Sequence, residues 1–320
     1  MRSRIAILSV LCCVPLAALA QSARQETTIS LPAGVSAQGG SMSRAGNLLA
    51  VICSDHIVRV WSVQSGEVIK SLETNAEPQT AVQFSRDGGL LAVAYEKGAV
   101  KIFDVDSWKL QYELPGSLPV YVLAFSPDSR RLATAGDFDT QVWDLPRQKK
   151  VATISPPFGW SWALSFSPDS RWVATADGDT FVRVYDANSG NLQSAVRGFL
   201  LEPMAVAFSS DGKTLLAGGV DKTISIVEAT SGKISRAIPK HPGLIWALDI
   251  SADGKQAVAV YRSSDRFFDV NHIALWDLDK GTTLADFQKT GITVEGGAFV
   301  GGHYLFAAAS GNQLTLWSIP

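Results

Sequence analysis

The chain has 320 residues, 46% of them apolar, and a formal net charge of −2. That balance excludes a general nucleic-acid binder, because neutralising a phosphate backbone requires a basic surface. Three cysteines and four histidines leave little material for a disulfide framework or a histidine-rich metal centre.

Residues 1–20 read as a cleavable export signal. Arg2 and Arg4 make a basic start, Ile5 to Val14 an apolar stretch, and Ala18-Leu19-Ala20 a small-residue cleavage pattern before Gln21. The stretch is too short to span a bilayer, and no later segment reaches the ~18 uninterrupted apolar residues that a membrane span needs. Leu11 before Cys12 spoils a lipid-attachment pattern. The expectation is therefore cleavage after Ala20 and release into the periplasm or medium of a bacterium, with 21–320 as a single domain. The chain has no Asn-x-Ser/Thr acceptor to indicate a eukaryotic secretory route. Cleavage would leave Cys53 alone, and its alternation with Leu49 and Val51 marks it as a small buried hydrophobe.

Thr27 to Leu31 (TTISL) is a first strand that stands ahead of any repeat. After it, one segment recurs seven times: VRVWSV, VKIFDV, TQVWDL, VRVYDA, ISIVEA, IALWDL and LTLWSI. Its anchors are Trp61, Phe103, Trp143, Tyr185, Val227, Trp276 and Trp317, at intervals of 42, 40, 42, 42, 49 and 41 residues. Short strands repeating at this period are the signature of propeller blades.

Residues Val120 to Pro146 show one unit. Val120 to Ser126 is a strand, Ser126-Pro127-Asp128-Ser129 a turn, Arg131 to Ala135 a second strand and Thr140 to Leu145 a third. The turn returns with Asp87, Asp169, Asp211 and Asp253, and recurrence at a hairpin gives these aspartates a structural role. Weaker versions stand at Ser43-Arg44-Ala45-Gly46 and Val300-Gly301-Gly302-His303. Six anchors are followed by a fourth strand, often through Ser-Gly (Ser65-Gly66, Ser189-Gly190, Ser231-Gly232), but the chain ends three residues past Trp317. An open sheet edge there would be sticky. Residues ~26–32 are therefore expected to complete the last blade and close the ring.

The anchors followed by Asp (Trp143-Asp144, Trp276-Asp277), the Ser-Pro-Asp turns and the repeat period resemble WD-repeat β-propellers over residues 26–320. The resemblance implies an all-β, seven-bladed ring of four-stranded antiparallel blades that serves as a scaffold around a central channel. It also implies a buried network in each blade, built from an Asp six residues before the anchor, a His, a Ser or Thr, and the Trp. Asp55, Asp137, Asp179 and Asp221 occupy that Asp position, Lys97, Val270 and Gly311 replace it elsewhere, and His241 is the one matching histidine.

Catalytic patterns are absent from the sequence. His56, His241, His272 and His303 fall in different repeats, and there is no His-Glu-x-x-His, Cys-x-x-Cys-His, Gly-x-Ser-x-Gly or phosphate loop. The Asp137/Asp139 and Asp177/Asp179 pairs are the nearest approach to a calcium site, but the family network already accounts for Asp137 and Asp179.

Contact residues are the remaining candidates. Four places before the residue closing each first strand stand Thr80, Tyr121, Trp162, Met204, Trp246 and Glu295. Aromatics at a channel mouth suit a partner's side chain, while the alternative is that they fill the space between blades. Trp160, after Pro156-Pro157-Phe158-Gly159, reads as loop-borne. The 49-residue interval holds a seven-residue insertion within Arg262 to Asn271, on the face that the resemblance assigns to the channel entrance. There Phe267 and Phe268, flanked by Arg262, Asp265, Arg266 and Asp269, form either a contact knob or the tip of a longer hairpin.

The expectation is a non-enzymatic, monomeric scaffold of the bacterial envelope that binds a protein or peptide through this face. It would use neither cofactor nor metal, with Asp139 and Asp177 setting the polarity. The alternatives are a small-ligand or sugar-binding propeller and a quinone-dependent oxidoreductase. The second is disfavoured because the runs after Gly66, Gly190 and Gly232 lack the docking Trp that such enzymes carry.

Overall fold

The computed structural model describes residues 24–73, 77–157, 159–238, 243–263, 271–289, 293–300 and 303–319. These residues form 28 strands in seven four-stranded antiparallel sheets. The first strand, β1 (Arg24–Ser30), belongs to the last sheet.

Blade one holds β2 (Ala37–Met42), β3 (Leu48–Cys53), β4 (Ile57–Ser62) and β5 (Val68–Glu73). Blade two holds β6 (Gln79–Phe84), β7 (Leu90–Tyr95), β8 (Val100–Asp104) and β9 (Leu110–Leu114). Blade three is β10 (Val120–Phe125), β11 (Arg131–Gly136), β12 (Thr140–Asp144) and β13 (Lys149–Ile154). Blade four is β14 (Ser161–Phe166), β15 (Trp172–Asp177), β16 (Val182–Asp186) and β17 (Leu192–Val196). Blade five is β18 (Pro203–Phe208), β19 (Thr214–Gly219), β20 (Ile224–Glu228) and β21 (Ile234–Ile238). Blade six has longer strands: β22 (Gly243–Ile250), β23 (Gln256–Ser263), β24 (Asn271–Asp277) and β25 (Thr282–Lys289). Blade seven is β26 (Thr293–Val300), β27 (His303–Ser310) and β28 (Gln313–Ile319), with β1 on its outer edge.

The first strands pack on one another from β26 through β2 to β22, and Val258 and Val260 of β23 meet Tyr304 and Phe306 of β27 in a shared core, which closes the circle. Because the sheets are antiparallel, the loops entering each first strand and those joining second to third strands share one face. The Ser-x-Asp turns share the other. In four of those turns the Ser hydroxyl donates to the Asp across 2.6 Å (Ser85–Asp87, Ser126–Asp128, Ser209–Asp211, Ser251–Asp253). The same hydroxyl accepts the amide that opens the second strand, as Leu90 N to Ser85 Oγ shows at 2.9 Å. In blade one Asn47 takes the aspartate's place, accepting from Ser43 across 2.8 Å.

The closing strand begins two residues earlier than expected and reproduces a detail of the other outer strands. At each anchor the outer strand carries one extra residue: Trp61 pairs with Val68 and Val60 with Lys70, so that Ile69 is skipped. In the seam Trp317 pairs with Gln25 and Leu316 with Thr27, skipping Glu26. Ile29 and Leu31 then join a core with Leu314 and Leu316 of their own sheet and Leu49, Val51 and Trp61 of blade one. Burial between adjacent sheets is what holds such a ring together, since no blade has a core of its own.

Candidate functional site: the aromatic face and the channel

The column of residues singled out in the first strands has a common backbone cause. In each first strand the register against the second strand jumps by one, and the residue left over is Gln38, Thr80, Tyr121, Trp162, Met204, Trp246 or Glu295. A bulge of this kind leaves its residue out of the ladder and re-aims its side chain. It thereby turns a wall position into one that faces the mouth of the ring.

Three of these side chains stand out on that face, with Tyr121 52%, Trp162 40% and Trp246 47% exposed. Trp162 donates its indole N–H to Glu202 Oε2 across 3.2 Å, which fixes the ring beside a carboxylate. Thr80 donates to the Val120 carbonyl instead, tying blade two to blade three. Met204 is buried, contrary to its expected role as a contact residue. It sits beside the close backbone approach of Glu202 and Pro203 to Gly219, where a Cβ would meet the Glu202 carbonyl at 2.1 Å.

Trp160 lies on the loop before β14 and is partly exposed, with its indole lying over Gly178. A Cβ at Gly178 would come within 2.1 Å of that indole nitrogen. The same face carries exposed apolar residues that hydropathy alone did not single out: Leu118, Phe138, Leu200 and Leu201, with Leu200 86% exposed. Large exposed apolar side chains gathered on one face mark an interaction surface.

The acidic residues divide differently from the expectation. Asp139 stays partly exposed and accepts from Gln141 at 3.2 Å. Asp177 is 0% exposed and so cannot set the polarity of the face. It accepts from Ser161 Oγ at 2.8 Å and from Arg183 Nη1 at 2.7 Å, and Arg183 also donates to Asp179 at 2.7 Å. Burial pushes the Asp177 carboxyl upward, against the pull of Arg183 and Ser161. With both carboxylates held by one guanidinium, the charge of the Asp177/Asp179 pair is already partly compensated within the protein.

Arg59 treats Asp55 the same way, with a bidentate contact at 2.9 and 2.7 Å that holds the Asp55 carboxyl below the usual range. The implied Asp–His network is thus replaced by an arginine four residues after the Asp in blades one and four. Among the described residues the loops of this face carry Glu77, Glu96, Asp137, Asp139, Glu202 and Asp221 against Lys97, Arg197 and Lys222 once those pairs are set aside. Over its described loops the face is acidic as well as aromatic.

His241, Asp265, Arg266, Phe267, Phe268 and Asp269 lie outside the described residues, as do the signal segment 1–20 and the side chains of Arg262 and Glu295. The ladder next to the insertion runs on through Arg262 opposite Asn271, so the strands of blade six lengthen toward it.

The channel itself holds a cavity of about 460 Å³, set toward the turn face. One residue per first strand lines it just before the closing apolar position: Ser41, Gln83, Ala124, Ser165, Ala207, Asp249 and Ala298. Asp249 is the one carboxylate in this lining, and Arg44 and Arg86, from the turns of blades one and two, are its cations. Burial pushes Asp249 up to about 6, against the Ile250 amide and the charges of Arg44 and Arg86. None of these three is among the contact residues expected from the sequence.

Comparison with known proteins agrees with this architecture. The family model described as "WD domain, G-beta repeat" matches residues 108–144, 148–186 and 201–227. The first two matches run from the outer strand of one blade through three strands of the next, the same offset that makes β1 the closing strand. Autophagy-related protein 18 of Meyerozyma guilliermondii is 33% identical over 111 residues, covering 32% of this chain and 20% of that protein. Human WD repeat-containing protein 36 is 26% identical over 113 residues, 35% of this chain and 12% of its own. Small ribosomal subunit protein RACK1 of Caenorhabditis elegans is 29% identical over 106 residues, 32% of this chain and 31% of its own. The aligned stretch therefore spans less than a third of each relative. The chain is thus similar to WD40 repeats over blades three to five, and its seven-bladed ring agrees with that similarity.

Proposed function

We propose that the protein is an exported, non-enzymatic interaction module that docks a protein or peptide on its aromatic, acidic face. The observation that carries this reading is the bulge column, which presents Tyr121, Trp162 and Trp246 outward around one mouth of the ring. Tyrosine and tryptophan dominate binding hot spots because they bury large rigid area at little entropic cost. Carboxylates in the surrounding loops, Asp137, Asp139 and Glu202 among them, favour a partner segment that carries lysine or arginine and disfavour polyanions. Its relatives are WD-repeat proteins, which fits a scaffold rather than a catalyst. The basic, apolar and small-residue pattern of residues 1–20 supports export to a bacterial envelope.

The test replaces Tyr121, Trp162 and Trp246 with serine together. All three are exposed, so the folded ring should survive with unfolding free energy changed by about 1 kcal/mol or less per site. Capture of the partner from an envelope extract, identified by mass spectrometry against wild-type protein, should fall by at least about tenfold. Unchanged capture would remove this face from the function.

A further inference from the structure

The cavity at the turn end of the channel faces away from the aromatic mouth and has chemistry of its own. Asp249 and the pair Arg44 and Arg86 all line it, and their charges act on one another. Even so, none of the ion pairs within 4.0 Å among the described residues joins Asp249 to either arginine. Arg44 and Arg86 repel each other across the mouth, and Arg86 is also partly desolvated. The rest of the nearby wall is mixed, with Ser41, Gln83 and Ser165 beside Ala124, Ala207 and Ala298.

We propose that this cavity binds a free α-amino acid, its ammonium on Asp249 and its carboxylate between Arg44 and Arg86. A zwitterion is the one small ligand class that satisfies both signs at once and spans the gap that keeps them from pairing directly. An anion between two neighbouring guanidinium groups relieves their repulsion and uses the fork geometry suited to carboxylates. The small alanine and serine positions of the channel wall leave room for the side chain, and about 460 Å³ lies within the range of small-molecule sites. A monocarboxylate would meet Asp249 as a like charge, and a simple amine would leave the arginines unrelieved.

Three groups face Asp249 from the elements around it: Arg44 from the first turn of blade one, Arg86 from that of blade two, and Tyr304 on β27. Burial pushes the Tyr304 hydroxyl far above its ordinary range, whereas Asp249 is raised to about 6. Binding should accordingly weaken as pH falls below about 6, where Asp249 takes up a proton.

The experiment is titration calorimetry of the full chain with L-leucine, 4-methylpentanoate, which lacks the ammonium, and 3-methylbutylamine, which lacks the carboxylate. Leucine should bind at least about tenfold more tightly than either analogue near pH 8. D249N should erase the preference over 4-methylpentanoate, and R44A/R86A the preference over the amine. Asparagine matches the shape of the aspartate it replaces, and both arginines sit on exposed turns, so the variants should fold. Cooperative unfolding verifies this. No leucine binding at about 10 mM, equal binding of the three ligands, or an undiminished preference in D249N would overturn the proposal. Partner capture by the opposite face should be unaffected by leucine, which separates this outcome from the docking test.

Discussion

Arg183 donates to Asp177 across 2.7 Å inside blade four, where the carboxylate has no exposed surface and the guanidinium almost none. A second carboxylate, Asp179, takes the other edge of the same guanidinium. This triad takes the place of the histidine network implied by the resemblance. Removing its cation would strand two carboxylates away from water. Arg183→Ala should therefore cost about 3–5 kcal/mol in denaturant unfolding. Replacing all three residues with apolar side chains of similar volume should cost far less than the single change. An Arg183→Ala loss under about 1 kcal/mol would mean that the triad contributes little.

Among the described residues, the seam between β1 and β28 is the only place where sequence-distant strands share a sheet, and Ile29 is its buried anchor. Ile29→Ala should cost about 2–4 kcal/mol, because it opens a cavity against Leu314, Leu316 and Trp61. Deleting residues 24–30 should do more, exposing the whole edge of β28 and favouring association through it. Unfolding curves and light scattering read the two effects. A truncated chain that stays monomeric and as stable as the full one would contradict the closure.

Asp249 gives the ring an unusual acid dependence. Its carboxyl is raised from 3.8 to about 6 in the folded chain. The stability linked to its protonation is therefore fully present below 3.8 and is lost as pH rises through about 6. The full shift corresponds to roughly 3 kcal/mol. Water in the channel screens part of this, so Asp249→Asn should stabilise the protein by about 1–2 kcal/mol near pH 8 and by nothing below about pH 4. Thermal unfolding of both proteins across that range measures it. A constant difference at every pH would assign the effect to packing instead.

Much of the ring is legible in the sequence alone. The anchors from Trp61 to Trp317 mark third strands, the Ser-Asp pairs mark turns, and the missing last strand points to the amino terminus. What could not be read was where alternating side chains would face, because a single extra residue reverses the pattern beyond it. The bulges do this at Tyr121, Trp162 and Trp246, and the same bulge leaves Met204 buried where neighbouring backbone crowds it. Asp177, expected to set the polarity of the face, ends a second strand, where Ser161 and Arg183 draw it inward. A signal for that pairing did exist: arginine two places before the anchor and four after an Asp, at Arg59 and Arg183. Asp249 also had one, as a lone charge in a column otherwise made of Ser, Gln and Ala.

Which surface meets the partner is the question that decides the account. A photo-crosslinking amino acid placed singly at Tyr121, Trp162 or Trp246 on the aromatic face, or at Val68 or Leu192 on the outer strands, tests it in the source cells. The account predicts a discrete crosslinked species from the first three positions and none from the outer two. Adducts confined to Val68 and Leu192, or no adduct from any aromatic position, would contradict it.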